Sequence, residues 1–152
     1  MLTKNWKKRG MKNMVILVDT NIIVDAVAER HPFAVNANII IEKCARREIT
    51  GFLAAHSISN LFYILRKDFN PDERRNFIKD LCKIFYISNL DEKKIVAALD
   101  NYGFTDFEDC LQEESAVEVV ADYIITRNPK DFTKSRVKVI QPDEFVKLLG
   151  HL

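Results

Sequence analysis

The chain has 152 residues, 47% of them apolar and 30% charged, with a formal net charge of +1. That is the size and balance of a single domain able to bury its own core. No run approaches the roughly 18 consecutive apolar residues of a membrane span, so a cytoplasmic protein is expected. The charge is unevenly placed. Lys4, Lys7, Lys8, Arg9 and Lys12 all precede Met14 with no acid among them, and the rest is net acidic. Residues 1–13 read as a basic N-terminal tail, either disordered or suited to nucleic acid or a partner. Met11 and Met14 offer alternative starts, and residues 14–149 read as one domain. Cys44, Cys82 and Cys110 lack CxxC spacing and read as buried reduced thiols.

Met14–Val18 is a continuous apolar run, the pattern of a buried parallel strand. Thr20–Glu29 has helical spacing, with Ile22, Ile23, Ala26 and Val27 on one face. His31-Pro32 breaks it, and Pro32 suits the first turn of the next helix. That helix runs to about Arg47 through Ala34, Ala37, Ile40, Ile41 and Cys44. Residues 51–55 form a short second strand. Ser57 or Ser59 is placed to cap a helix through Leu61, Ile64 and Leu65. Asn70 caps the next, with Pro71 at its first position and Phe77, Leu81 and Ile84 as its stripe.

Phe85–Ile87 is a third strand. Asp91–Asn101 is helical, with Ile95, Val96 and Leu99 expected inside and Gly103 ending it. Asp106–Val119 is the next helix. Strands follow at Tyr123–Thr126 and Val137–Ile140, and Pro142 opens a last helix with Phe145, Leu148 and Leu149. Strands alternating with helices imply βα units, hence an α/β fold with a mostly parallel sheet of about five strands. The four scattered glycines form no phosphate-binding loop.

Ligands of such sheets bind at the carboxyl ends of the strands. Asp19 stands there, and an acid is costly to bury without a cation or hydrogen-bond donors. Capping the helix that begins at Thr20 is its simpler use. Asp106 and Asp109 are three apart and share the start of a later helix, with Glu113 one turn on. The helix dipole alone favours acids there, and Thr105 with Glu108 matches a capping box. A third polar block is Thr126-Arg127-Asn128, then Asp131-Phe132. Asp122 reads as solvated, and Arg127 as a phosphate contact or a salt-bridged side chain. His31, His56 and His151 have no zinc spacing, so a carboxylate pocket is the metal site on offer.

Val18-Asp19-Thr20-Asn21 after a first strand, the acidic helix start, and Ile125-Thr126-Arg127-Asn128 with Asp131-Phe132 together resemble a PIN domain. That family includes metal-dependent ribonucleases and the VapC toxins of toxin–antitoxin pairs, and the resemblance spans about Met14 to Leu149. It implies a three-layer α/β/α fold and a Mg²⁺- or Mn²⁺-dependent endoribonuclease. Asp19, Asp106 and Asp109 would be metal ligands, and Asp131 a fourth catalytic carboxylate. Asn21, Asn60, Thr126 and Asn128 would be supporting residues. RNA would be the substrate, a small antitoxin the partner and a homodimer the working form.

The pattern departs from the family at two acid positions. The glutamate on the helix after the second strand reads as Asn60, and the acid after Thr-Arg reads as Asn128. Fewer like charges weaken hard-ion binding. A catalytically silent module that binds RNA or protein therefore stands as the second reading. A phosphatase using Asp19 as nucleophile is the third; its usual second acid, two residues on, is Asn21. The separate pairs Arg46-Arg47, Arg66-Lys67 and Arg74-Arg75 make no continuous basic stripe.

Overall fold

The computed structural model describes residues 14–150, so the basic tail lies outside the described residues. Its core is a five-stranded sheet of order β3-β2-β1-β4-β5. The strands are β1 (Val15–Val18), β2 (Thr50–Ala54), β3 (Tyr86–Ser88), β4 (Tyr123–Ile125) and β5 (Val139–Ile140). Every pairing is parallel, not merely most of them. In the centre Leu17 pairs with Phe52 on one side and Ile124 on the other. β1 is the middle strand, so it must be apolar on both faces.

Successive residues of β1 serve different layers. Ile16 and Val18 enter the larger core with Ile22, Ile40, Leu61, Leu81 and Phe145. These come from α1 (Thr20–Val27), α2 (Ala34–Ala45), α3 (Ala55–Ile64), α4 (Pro71–Ile84) and α7 (Pro142–Leu149). Leu17 faces the opposite way, toward Ala116 and Phe132. That layer holds α6 (Phe107–Glu118), against which α5 (Glu92–Leu99) packs through Ala98, Cys110 and Leu111. The result is the expected three-layer α/β/α arrangement. Among the described residues no helix is long and apolar enough to cross a membrane.

Several local expectations hold. Asn70 and Glu73 form a reciprocal capping box on α4, with Pro71 in its first turn. Others are corrected. α3 begins at Ala55 with no side-chain cap, and Ser57 is buried inside it. Pro32 lies in the turn before α2 and follows a cis bond to His31. The expected Thr105–Glu108 box is replaced by Asp106, whose Oδ1 accepts the Asp109 N–H at 3.1 Å. Asp122 is not simply solvated: its Oδ2 accepts the Val15 N–H at 2.8 Å and ties β4's entry to β1. Cys44 and Cys110 are buried, but Cys82 is exposed.

α5 shows the largest departure. Val96 and Leu99 are 48% and 58% exposed, while Lys94 is 5% exposed. The Lys94 ammonium donates to Ser88 Oγ at 3.0 Å and to the Asn89 carbonyl, and it pairs with Glu118. Those acceptors satisfy a charge that would otherwise be too costly to bury.

Candidate active site

Asp19 follows the last residue of β1 and caps α1. Its backbone N–H donates to the Ile125 carbonyl at 2.9 Å, which locks the strand end against β4. Its carboxylate is held by three donors. Oδ1 accepts the Thr20 N–H at 2.7 Å and Gln112 Nε2 at 3.4 Å. Oδ2 accepts the Thr126 hydroxyl at 2.8 Å. Thr126 is fully buried, and its Oγ1 also accepts the Asn128 N–H at 3.1 Å. Thr126 thus bridges the Asp19 carboxylate and the Asn128 backbone.

A cavity of about 220 Å³ opens beside Asp19. It is lined by Asp19, Asn21, Asn60, Asp109 and Gln112, with Thr20, Val24, Ile64, Arg30 and Glu108 completing the wall. The topology explains the convergence. Asp19 and Asn21 leave the end of β1, Asn60 comes from α3 after β2, and Asp109 and Gln112 come from the first turns of α6. A larger groove lies elsewhere, between α3 and α4, lined by Ala55, Ile58, Ser59, Phe62, Tyr63 and Ile78 together with Arg74, Arg75 and Lys79. Carboxylates line the smaller cavity, and none lines the groove.

Burial pushes the Asp19 carboxyl up from its ordinary value, against the bonds from Thr126 and Thr20, and the Asp131 charge adds to the rise. Asp109 is pushed up to about 7, first by burial, then by the charges of Asp106, Asp19, Asp131 and Glu108. In both, burial comes first: desolvation disfavours the charged form, and neighbouring acids add to it. Asp106 and Asp131 act on the pocket by field, but neither lines it. Among the described residues no three carboxylate, histidine or cysteine side chains are grouped to hold one ion. The expected set of Asp19, Asp106 and Asp109 is therefore not assembled, because Asp106 is turned to cap α6.

The donor set nonetheless suits a hard divalent cation, which takes carboxylate, amide and water oxygens. Among the described residues Asn21 Oδ1 and Gln112 Oε1 are both buried without a partner. Asp19 and Asp109 would hold the ion, with the amides of Asn21 and Asn60 beside them.

Arg127 is committed elsewhere. It makes a two-pronged ion pair with the fully buried Asp25, one arm at 3.1 Å, and lies over the Phe33 ring at 4.3 Å. That removes it as a free phosphate contact. Glu113, though on α6, is buried against Arg136 Nε at 2.6 Å and does not line the cavity. Sequence reasoning missed Gln112, Arg30 and the pocket-lining role of Glu108. For Gln112 one signal was present, since it lies three residues after Asp109 and so near the same helix face.

A sequence-family description of the PIN domain matches residues 15–130. Solved structures with the same fold include VapBC2 from Rickettsia felis bound to a promoter DNA fragment. It is 19% identical, covers 84% of this chain and 98% of its own, and has a TM-score of 0.64. FitAcB from Neisseria gonorrhoeae is 18% identical over 84% and 97%, with a TM-score of 0.62. VapBC-1 from nontypeable Haemophilus influenzae is 17% identical over 86% and 99%, with a TM-score of 0.63. No curated protein sequence matches the chain significantly.

Proposed function

Because the chain belongs to the PIN-domain family, we propose that it is a divalent-metal-dependent endoribonuclease of the toxin type, acting at the cavity between Asp19 and Asp109. The observation that carries this reading is the meeting of two desolvated, mutually repelling carboxylates in one oxygen-lined cavity. A bound Mg²⁺ or Mn²⁺ supplies an activated water and neutralises charge developing on a scissile phosphate. Asp19 and Asp109 hold the site for it. Thr20 and Thr126 keep the Asp19 carboxylate in one orientation. Asn60 contributes an oxygen without charge, and Arg30 puts a cation at the cavity wall.

The partner in this reading is a small antitoxin protein, in keeping with the VapBC and FitAB structures that share the fold. The groove between α3 and α4 suits such a segment. It has an apolar floor and is edged by Arg74, Arg75 and Lys79.

The test is cleavage of stem-loop RNA with Mn²⁺ or Mg²⁺, stopped by EDTA. Asp19→Asn should lower the rate by about 100-fold or more, as loss of a group that organises transition-state charge does. Cleavage that survives both EDTA and the substitution would overturn the reading. One observation favours a second reading, a module that binds without cutting: Asn60 lines the cavity, at the position where the family resemblance implies a glutamate. Tight RNA binding with no cleavage in either metal would select it.

A further inference from the structure

Gln112 lies on α6, one turn beyond Asp109, and is 3% exposed. A polar side chain that deep must be used, and Gln112 uses both N–H groups of its amide. Nε2 donates to Ser57 Oγ at 3.0 Å and to Asp19 Oδ1 at 3.4 Å. Ser57 is itself fully buried, in α3. The amide's orientation is forced, because an ionised carboxylate only accepts. Its nitrogen therefore faces Asp19, which leaves Oε1 without a partner among the described residues.

A carboxylate offers about four acceptor directions. On Asp19 three are filled by the described residues, Thr20, Gln112 and Thr126. One remains, and it is on Oδ2. Thr20 is the residue next in chain and Thr126 is fixed by the paired strands β1 and β4. Gln112 is the only one of the three donors that reaches Asp19 from the helix carrying Asp109. It therefore fixes the relation between the two carboxylates that line the cavity.

We propose that Gln112 is a positioning residue of the site. Anchored by Ser57, it holds the Asp19 carboxylate so that a single oxygen direction is left for a divalent cation shared with Asp109. The inference rests on the metal-dependent reading above and adds to it a residue and a relay, Ser57 to Gln112 to Asp19. Outer-shell groups of this kind alter metal affinity by roughly 10- to 100-fold when removed.

The experiment is Mn²⁺ titration by calorimetry, with Mn²⁺ electron paramagnetic resonance on the same samples. It uses the full chain, Gln112→Met, Ser57→Ala and the double variant. Methionine keeps the side-chain volume and removes the donors. Gln112→Met should weaken Mn²⁺ about tenfold and broaden the spectrum, while the melting temperature without metal stays within a few degrees of wild type. Ser57→Ala should weaken Mn²⁺ less. The double variant should match Gln112→Met, since both changes break one relay. Unchanged Mn²⁺ affinity in both single variants, with wild type binding, overturns the role of Gln112 and leaves the nuclease reading standing. Wild type that binds no Mn²⁺ overturns both. Should Gln112→Met fail to fold, Ser57→Ala decides alone, since it loosens the relay from its outer end.

Discussion

Asp109 is where the electrostatics of the site concentrate. Its carboxyl is raised from 3.8 to about 7 by burial and four neighbouring acids. An acid held more tightly protonated in the folded chain than in the unfolded one favours folding only while it is protonated. That contribution is complete below about pH 3.8 and is lost as the pH climbs through about 7. Asp109→Asn, which cannot ionise, should match wild type near pH 4 and be more stable at pH 8 without metal. Asp109 is only partly buried, so solvent screening keeps the gain at about 1 kcal/mol. Parallel melting-temperature curves against pH for the two proteins would show that Asp109 does not carry this load. Asn60 allows the opposite manipulation. Asn60→Glu adds a charge to the same wall, so the metal-free variant should be less stable than wild type. It should also gain more in melting temperature on adding Mn²⁺. An equal gain in both proteins would place residue 60 outside the metal's reach.

Contacts between elements set the next scale. Gly51 in β2 sits under α2 and the end of α4. A Cβ there would lie 2.7 Å from both Cys44 Sγ and the Phe85 ring. The absence of a side chain is thus what lets the helical layer close on the sheet. Gly51→Ala should cost about 1–3 kcal/mol by overpacking, read as a lower urea midpoint. An unchanged midpoint would mean the layer yields freely. The Arg127–Asp25 pair joins the loop after β4 to α1. Arg127→Met would strand a fully buried carboxylate, a loss of about 3 kcal/mol. Replacing both partners, Asp25→Leu with Arg127→Met, should recover most of it. A double variant as unstable as the single one would show that packing of Phe33 and Arg127, not charge, is what the pair provides.

Across the whole molecule β1 contributes to both of the larger buried clusters. Leu17 is the fully buried residue that β1 gives to the smaller core, beside Ala116, Ile124 and Phe132. Leu17→Ala should cost about 2–5 kcal/mol. Because the central strand is common to both layers, unfolding should remain one transition. Far- and near-ultraviolet circular dichroism should move to lower urea together. Separate midpoints would show that the layers unfold independently.

Local chemistry made most of the architecture legible. The unbroken apolar run of β1, the Asn70-Pro71 start of α4 and the alternation of strands with helices are properties of neighbours in sequence. Periodicity and capping report such properties directly. Asp19 was legible for the same reason, as an acid at a strand end. What the sequence left open depends on residues far apart in it. Val96 and Leu99 have helical spacing, but which face of α5 is covered is decided by where α6 lies, and it covers Lys94 and Ala98. Asp106 and Arg127 bear the charges a nuclease site wants. Only the packed chain shows that one caps a helix and the other neutralises Asp25. Gln112 is the clearest case. An amide announces no chemistry by itself, and this one matters because Ser57 and Asp19, 55 and 93 residues away, are brought to its two N–H groups. Sequence determined which elements form and where the acids enter the sheet. Tertiary structure decided which polar groups are freed for a ligand and which are spent holding the fold, because burial forces every donor to be matched with whatever acceptor the packing brings near.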